Sequence, residues 1–194
     1  MDIARVRTVV LAGGRSQRMG FDKLVAPFDG QPLARRIARA LSALNPVFVA
    51  TPQVAEAISG LRGVHVIVTE PTAGPSATLA LAHATIPADA YLAVLACDLP
   101  FADAERVRRF VARVPDDVDL AWPVVAGVPG HPVVWSPSAR TRIPALHDDE
   151  PPMRVRLDAA LRALALDELD DAYVIDVDTP EGWARALTRL PPPP

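Results

Sequence analysis

Strand-sized apolar runs alternate with amphipathic or small-residue stretches through the first half of the chain. Thr8 to Ala12, Val47 to Ala50, Val64 to Val68 and Leu92 to Cys97 are close to continuously apolar. That is the pattern of parallel strands covered on both faces. The last is the most apolar and is assigned to the sheet centre. Between the first two runs, Pro32 to Leu44 carries Leu33, Ile37, Leu41 and Leu44 at helical spacing, with Arg35, Arg36 and Arg39 mostly off that face. Pro32 suits a first helical position. Val54 to Gly60 predicts a short helix and Glu70 to Pro75 a Pro/Gly loop. Ala77 to Ala84 predicts a small-residue helix able to pack closely on the sheet.

The second half is less regular. Ala102 to Val114 reads as a helix and Leu120 to Val125 as a strand. A Val128-Pro129-Gly130 turn then leads into a strand from His131 to Trp135. Ser138 to Leu146 and Met153 to Ala165 predict helices joined by the acidic-proline loop His147 to Pro152. The chain closes with a strand from Tyr173 to Val177 and a helix from Glu181 to Leu190. Strand–loop–helix alternation, with no two-residue hairpin turns, predicts the α/β class: a mostly parallel sheet with helices on both faces. The two strands close together in the second half predict an antiparallel addition. No linker divides the chain, so residues 1–190 read as a single domain and Pro191 to Pro194 as a frayed proline tail.

Composition narrows the function classes. The chain has 194 residues and a formal charge of −3, without the basic patch that nucleic acid requires. Cys97 is the only cysteine, which excludes an internal disulfide framework or thiolate metal cluster. The first apolar run ends in glycines, unlike a signal peptide. No run approaches the roughly 18–20 apolar residues of a membrane span. The reading is a cytoplasmic soluble enzyme or binding protein, with neither nucleic acid nor membrane as partner.

The strongest chemical signal is the stretch from Val9 to Lys23. An apolar strand stops at Gly13-Gly14, and Arg15, Arg18 and Lys23 follow. Glycines permit a sharp turn and leave backbone N–H groups bare for a phosphate, and the cations add charge. The spacing matches neither the dinucleotide fingerprint G-x-G-x-x-G nor the Walker loop G-x-x-x-x-G-K-[ST]. In parallel α/β sheets ligands bind beyond the strand carboxyl ends. The glycine loop, Glu70 and Asp98 all occupy such positions. Asp98 also has a lesser reading as a cap for the helix after Pro100, and Asp178 suits a cap for the last helix.

These residues carry a family resemblance. Leu11-Ala12-Gly13-Gly14-Arg15-Ser16-Gln17-Arg18-Met19-Gly20-Phe21-Asp22-Lys23 resembles L-A-G-G-x-S-x-R-M-G-x-D-K, the signature of the molybdenum cofactor nucleotidyltransferases (MobA/MocA-like NTP transferases). Gly74-Pro75, Cys97-Asp98-Leu99-Pro100-Phe101 and Asp176-Val177-Asp178-Thr179-Pro180-Glu181 resemble the family's later motifs, so the likeness spans about residues 7–188. It implies a Rossmann-like three-layer αβα sandwich that transfers a nucleotide from an NTP to molybdopterin and releases pyrophosphate. Arg18, Lys23 and Asp98 are the implied catalytic residues. Leu11, Ala12, Gly13, Gly14, Arg15, Lys23, Glu70, Gly74 and Pro75 bind the nucleotide. Asp98, with Asp176 or Asp178 (Asp178 favoured), holds Mg²⁺, a cation suited to carboxylates plus phosphate oxygens. The acceptor's phosphate monoester is already ionised, so no side-chain base is needed.

The resemblance leaves the base open. Leu11-Ala12-Gly13-Gly14 and Cys97-Asp98 look like the guanylyl branch, whereas Gly130-His131-Pro132 and Asp176-Val177-Asp178 look like the cytidylyl branch. His131 is then on the acceptor side. The usual G-P-L-x-G is here Gly74-Pro75-Ser76-Ala77-Thr78, and Ala50-Thr51 stands where a relative often has Asn. GTP is favoured and CTP is the alternative. The implied partners are the NTP, a molybdopterin-type acceptor, and a molybdoenzyme or another cofactor-biosynthesis protein. A sugar-1-phosphate nucleotidyltransferase and a non-catalytic nucleotide-binding partner of a molybdoenzyme are the rival readings; retention of Lys23 and Asp98 argues against the second. His65 and His83 read as packed or surface residues and His147 as part of an exposed acidic loop.

Overall fold

The computed structural model describes residues 1–14 and 19–190. In chain order the regular elements begin with β1 (Val6–Ala12), β2 (Pro27–Phe28), β3 (Gln31–Pro32), α1 (Leu33–Leu41), β4 (Val47–Ala50) and α2 (Pro52–Ala57). Then come β5 (His65–Val68), α3 (Pro75–His83), β6 (Tyr91–Ala96), α4 (Ala104–Arg113), β7 (Leu120–Val125) and β8 (Val128–Pro129). The chain ends with β9 (Val133–Trp135), α5 (Pro137–Arg140), β10 (Ala163–Asp167) and α6 (Pro180–Thr188).

The main sheet has the order β10-β7-β9-β6-β1-β4-β5, with β8 added to β7. β6 lies at its centre, as its apolar run requires. β6, β1, β4 and β5 pair in parallel, as do β10 and β7. β9 runs antiparallel to both of its neighbours. The expected antiparallel addition is therefore one reversed strand between two parallel groups, plus the short β8. Alternation along the central strands feeds two cores. Val10, Ala93 and Leu95 pack with α1 and α4 on one face, whereas Val9, Leu92 and Val94 pack with α3 on the other.

Four expectations need correction. Two-residue hairpin turns do exist: Asp29-Gly30 joins β2 to β3 and Ala126-Gly127 joins β7 to β8, all four residues having positive φ. Asp-Gly is a favoured composition for such a turn. Val128 and Pro129 accordingly form strand, and the turn begins two residues earlier, at Ala126. The helix expected from Met153 to Ala165 is a 3-10 turn over Pro152–Leu157 followed by β10. The strand expected from Tyr173 to Val177 is a 3-10 turn over Asp171–Tyr173 followed by irregular chain. Tyr173 and Val177 are buried and Val174 partly so, but in a segment packed against the core and not within the sheet.

The other helices shift by a few residues. Pro32 precedes α1 and does not enter it; Ser42–Leu44 continues α1 as a 3-10 turn. The expected Ser138–Leu146 helix is split into α5 and a 3-10 turn at Ile143–Ala145. The proline tail lies outside the described residues.

Beneath α3 sits a buried cation. Arg140 is only 1% exposed and donates to the carbonyls of Pro87 (2.7 Å), Ala90 and Ile86 (3.1 Å), just beyond the carboxyl end of α3. Its guanidinium also reaches His83 Nδ1 at 3.3 Å. Burial, then the Arg140 charge, push the His83 pKa below its ordinary 6.5. The unfolded chain therefore takes up this proton first, and folding loses stability as pH falls below 6.5. Thermal unfolding of His83→Gln should show a smaller loss of stability between about pH 7 and pH 5 than the parent chain. Equal losses would exclude the pairing.

Candidate active site

Three segments far apart in sequence converge at the carboxyl edge of the parallel strands. Lys23 Nζ donates to Asp98 Oδ2 at 2.7 Å and also to Asp178 Oδ1. Lys23 follows the glycine loop after β1, Asp98 leaves the end of β6, and Asp178 comes from the irregular segment before α6. Val177 N–H donates to the Asp98 carbonyl at 3.1 Å, which docks that segment on the central strand. Trp183 of α6 meets both Phe21 and Phe28 edge-on, with ring centres 5.7 and 5.1 Å apart. The stretch leading to Lys23 and the helix after Asp178 thus share one indole.

Neither aspartate is a helix cap. The side chain of Asp103 accepts from Arg106 N–H at the start of α4, and that of Thr179 from Gly182 N–H at the start of α6. Both carboxylates are instead turned to the ammonium. Lys23 is 8% exposed. Burial alone would lower its pKa, but the charge of Asp98 and the hydrogen bonds to both aspartates outweigh this and hold it above its ordinary value. Asp176 belongs to the same cluster. Burial, then the charges of Asp178 and Asp98, raise its pKa. The segment is irregular chain and not strand, and Asp178 is the aspartate of the pair that meets Lys23.

Beside this cluster lies a cleft of about 740 Å³. Leu11, Gly14, Gly74, Pro75 and Thr78 form one side, and Val94, Ala96, Val133 and Trp135 the sheet floor. Pro151, Pro152 and Met153 add a wall. Apart from His131, no ionisable side chain is among its described lining residues. His131 Nδ1 lies 3.2 Å from the Val94 carbonyl. A carbonyl only accepts, so Nδ1 carries the proton and Nε2 keeps its lone pair. Burial dominates its lowered pKa, and the charges of Asp98 and Asp176 act in the other direction. His131 therefore lies electrically between cleft and cluster.

The remaining residues singled out from sequence divide clearly. Leu11, Gly14, Gly74 and Pro75 line the cleft, whereas the Ala12 side chain is buried in the opposite core. The Gly13 carbonyl accepts Thr72 N–H at 2.9 Å. Glu70 stands exposed beyond the edge strand, and the loop reaches the cleft only from Pro71 onward. Arg15 and Arg18 lie outside the described residues. Cys97 is buried, which raises its thiol pKa and suits an inert packing role.

Sequence reasoning passed over Thr72, Trp135 and Met153, whose types alone signal nothing. It also read His147 to Pro152 only as an exposed acidic loop. Its backbone clamps α3: Ala77 N–H donates to the Asp148 carbonyl and Ser76 Oγ to that of Glu150 at 2.7 Å. A Cβ on Gly74 would stand 2.5 Å from the Asp148 carbonyl oxygen. The Ser at position 76 thus has a packing reason that the family's leucine would not supply.

Comparison with known proteins identifies the family and the fold. The family described as "MobA-like NTP transferase domain" matches residues 8–163. A probable molybdenum cofactor guanylyltransferase of Natronomonas pharaonis is 34% identical over 122 residues, which spans 59% of each chain. One of Synechococcus elongatus is 30% identical over 190 residues, covering 90% of this chain and 94% of that one. Among solved structures, Rv0371c of Mycobacterium tuberculosis superposes with a TM-score of 0.75 at 23% identity, covering 94% of this chain and 97% of that one. The same protein in complex with manganese gives a TM-score of 0.73 at 21% identity, covering 95% and 99%. With the matched family spanning most of the chain and the relatives agreeing, this protein belongs to the MobA-like NTP transferase family and is an NTP-dependent nucleotidyltransferase.

Proposed function

We propose that residues 1–190 act as one unit that transfers GMP from GTP to a molybdopterin-type phosphate monoester and releases pyrophosphate. The observation that carries this reading is the Lys23 ammonium held between Asp98 and Asp178 beside an uncharged cleft. The relatives named as guanylyltransferases favour GTP over CTP.

The division of charge orients the substrate. The cleft accommodates a flat, neutral heterocycle, and the polyphosphate end belongs with Lys23 and the glycine loop. An acceptor phosphate oxygen forms a bond to the α-phosphorus, and the bond from that phosphorus to the β-phosphate bridging oxygen breaks. Negative charge moves onto the leaving pyrophosphate, where Lys23 stabilises it. His131, neutral and with Nε2 unprotonated, is assigned to the acceptor side. Catalysis here is orientation and electrostatics, without a general base.

The donor set fits a hard divalent cation. Two carboxylates already converge on one positive charge, and oxygen ligands of this kind suit Mg²⁺ once phosphate oxygens and water complete the shell. Asp98 and Asp178 would hold it, and it would supply charge neutralisation on the phosphates.

Incubation with GTP, Mg²⁺ and molybdopterin should release pyrophosphate, with CTP, ATP and UTP much poorer. No release with any triphosphate from a folded chain would overturn the assignment. Asp98→Asn and Lys23→Met should each lower the turnover rate by roughly 10²-fold, as for the loss of other transition-state stabilising groups. Wild-type turnover in both would remove the site. Lys23→Met should also destabilise the chain by about 1–3 kcal/mol, discounted from a fully buried pair because Asp178 is 41% exposed. Denaturant unfolding measures this, and adding Asp178→Asn should recover part of the loss.

A further inference from the structure

Thr78 occupies the place of a glycine in the motif G-P-L-x-G, and its hydroxyl is not idle. It is 1% exposed, and Oγ1 lies 2.6 Å from Thr72 Oγ1 and 3.0 Å from the Gly74 carbonyl. Thr72 Oγ1 in turn lies 3.2 Å from the carbonyls of both Gly13 and Gly74. Both threonines line the cleft, with Thr72 the more accessible. Thr78 is also packed tightly on the glycine loop: its Oγ1 and Cγ2 are 3.2 Å from where a Cβ on Gly13 would stand.

The protons of this pair can be assigned. A contact of 2.6 Å between hydroxyl oxygens needs a hydrogen between them. If Thr78 donates to Thr72, the Thr72 proton goes to a glycine carbonyl, and its oxygen keeps one free lone pair. If Thr72 donates to Thr78, the Thr78 proton goes to the Gly74 carbonyl, and the Thr72 oxygen keeps two. In both arrangements the hydroxyl protons have partners inside the protein, and the Thr72 oxygen keeps acceptor capacity. A phosphate oxygen, which accepts, would have to displace one of these internal hydrogen bonds. An O–H or N–H donor binds the free lone pair without displacing any of them.

Position selects the donor. The pair lines the cleft and abuts Gly13, where β1 passes into the glycine loop and so into the segment that leads to Lys23. In a nucleotide with its base in the cleft and its phosphates toward Lys23, the intervening part is the sugar. We propose that Thr72, held by Thr78, accepts a hydrogen bond from a ribose hydroxyl and makes the chain selective for ribonucleotides over deoxyribonucleotides. This rests on the nucleotide orientation given above.

The test is calorimetric binding of GTP, 2′-deoxyGTP and 3′-deoxyGTP, each with Mg²⁺. The parent chain should bind one of the deoxy forms roughly 3–10-fold more weakly than GTP, the range of one neutral hydrogen bond. Thr72→Val should abolish that ratio by weakening GTP while leaving the deoxy form unchanged, and Thr72→Ser should retain it. Thr78→Gly should reduce the ratio by freeing Thr72 to rotate, which serves as the second variant where Thr72→Val does not fold. Equal binding of all three nucleotides by the parent chain, or an unchanged ratio in Thr72→Val, overturns the sugar assignment alone. Failure to bind any nucleoside triphosphate overturns the nucleotide reading and this inference together.

Discussion

The constraint on which the structure most depends is the sharing of one buried ammonium by two carboxylates from distant parts of the chain. A lysine as enclosed as Lys23 loses most of its hydration, which alone would favour the neutral amine. Asp98 and Asp178 reverse that preference, so the charge survives only while all three segments are docked. The Val177 N–H to Asp98 bond and the packing of Trp183 on Phe21 and Phe28 hold the docking from the apolar side. The carboxyl-terminal segment is therefore part of the charged cluster, although it contributes no strand to the sheet.

Two glycines let the irregular second half close on this frame. At Gly74 the backbone of the 147–150 loop comes too near for a side chain, and at Gly130 the Tyr173 carbonyl and the Val174 side chain do the same. Gly130 N–H donates to Pro123 and His131 N–H to Tyr173, at 2.8 and 2.9 Å. His131 thus enters the cleft from a backbone fixed on two sides. Loops that would otherwise cross the surface become walls because small residues remove the steric obstacle.

How much of this could be read from residues alone follows from what kind of burial each segment has. β1, β4 and β6 are legible because a strand covered on both faces must be apolar throughout, and β7 was located to the residue. β10 was not, since its half-exposed leucines, Leu164 and Leu166, continue the spacing of Val155, Leu157 and Leu161 and imitate a helix. Tyr173 to Val177 imitates a strand because burial, not ladder pairing, makes it apolar. Asp98 was legible as a residue just past a central strand. That Lys23 joins it to Asp178, and that Thr72 pairs with Thr78, depends on tertiary distances that no local spacing encodes.

Strand parity explains why cleft and cluster are neighbours. Along β6, Val94 and Ala96 face the cleft, Leu95 and Cys97 face the opposite core, and Asp98 follows where the strand has ended. Ala96 is paired in register with Leu11, and both line the cleft. From this one rung the two strands depart into the segments that carry Asp98 and, through the glycine loop, Lys23. A slip of one residue between β1 and β6 would turn the floor residues toward the helices and exchange the apolar face for the wrong set. The hydrophobic pattern that fixes the central register therefore also fixes the distance between the uncharged cleft and the charged cluster, so that core packing and the placement of these two features are set by the same residues.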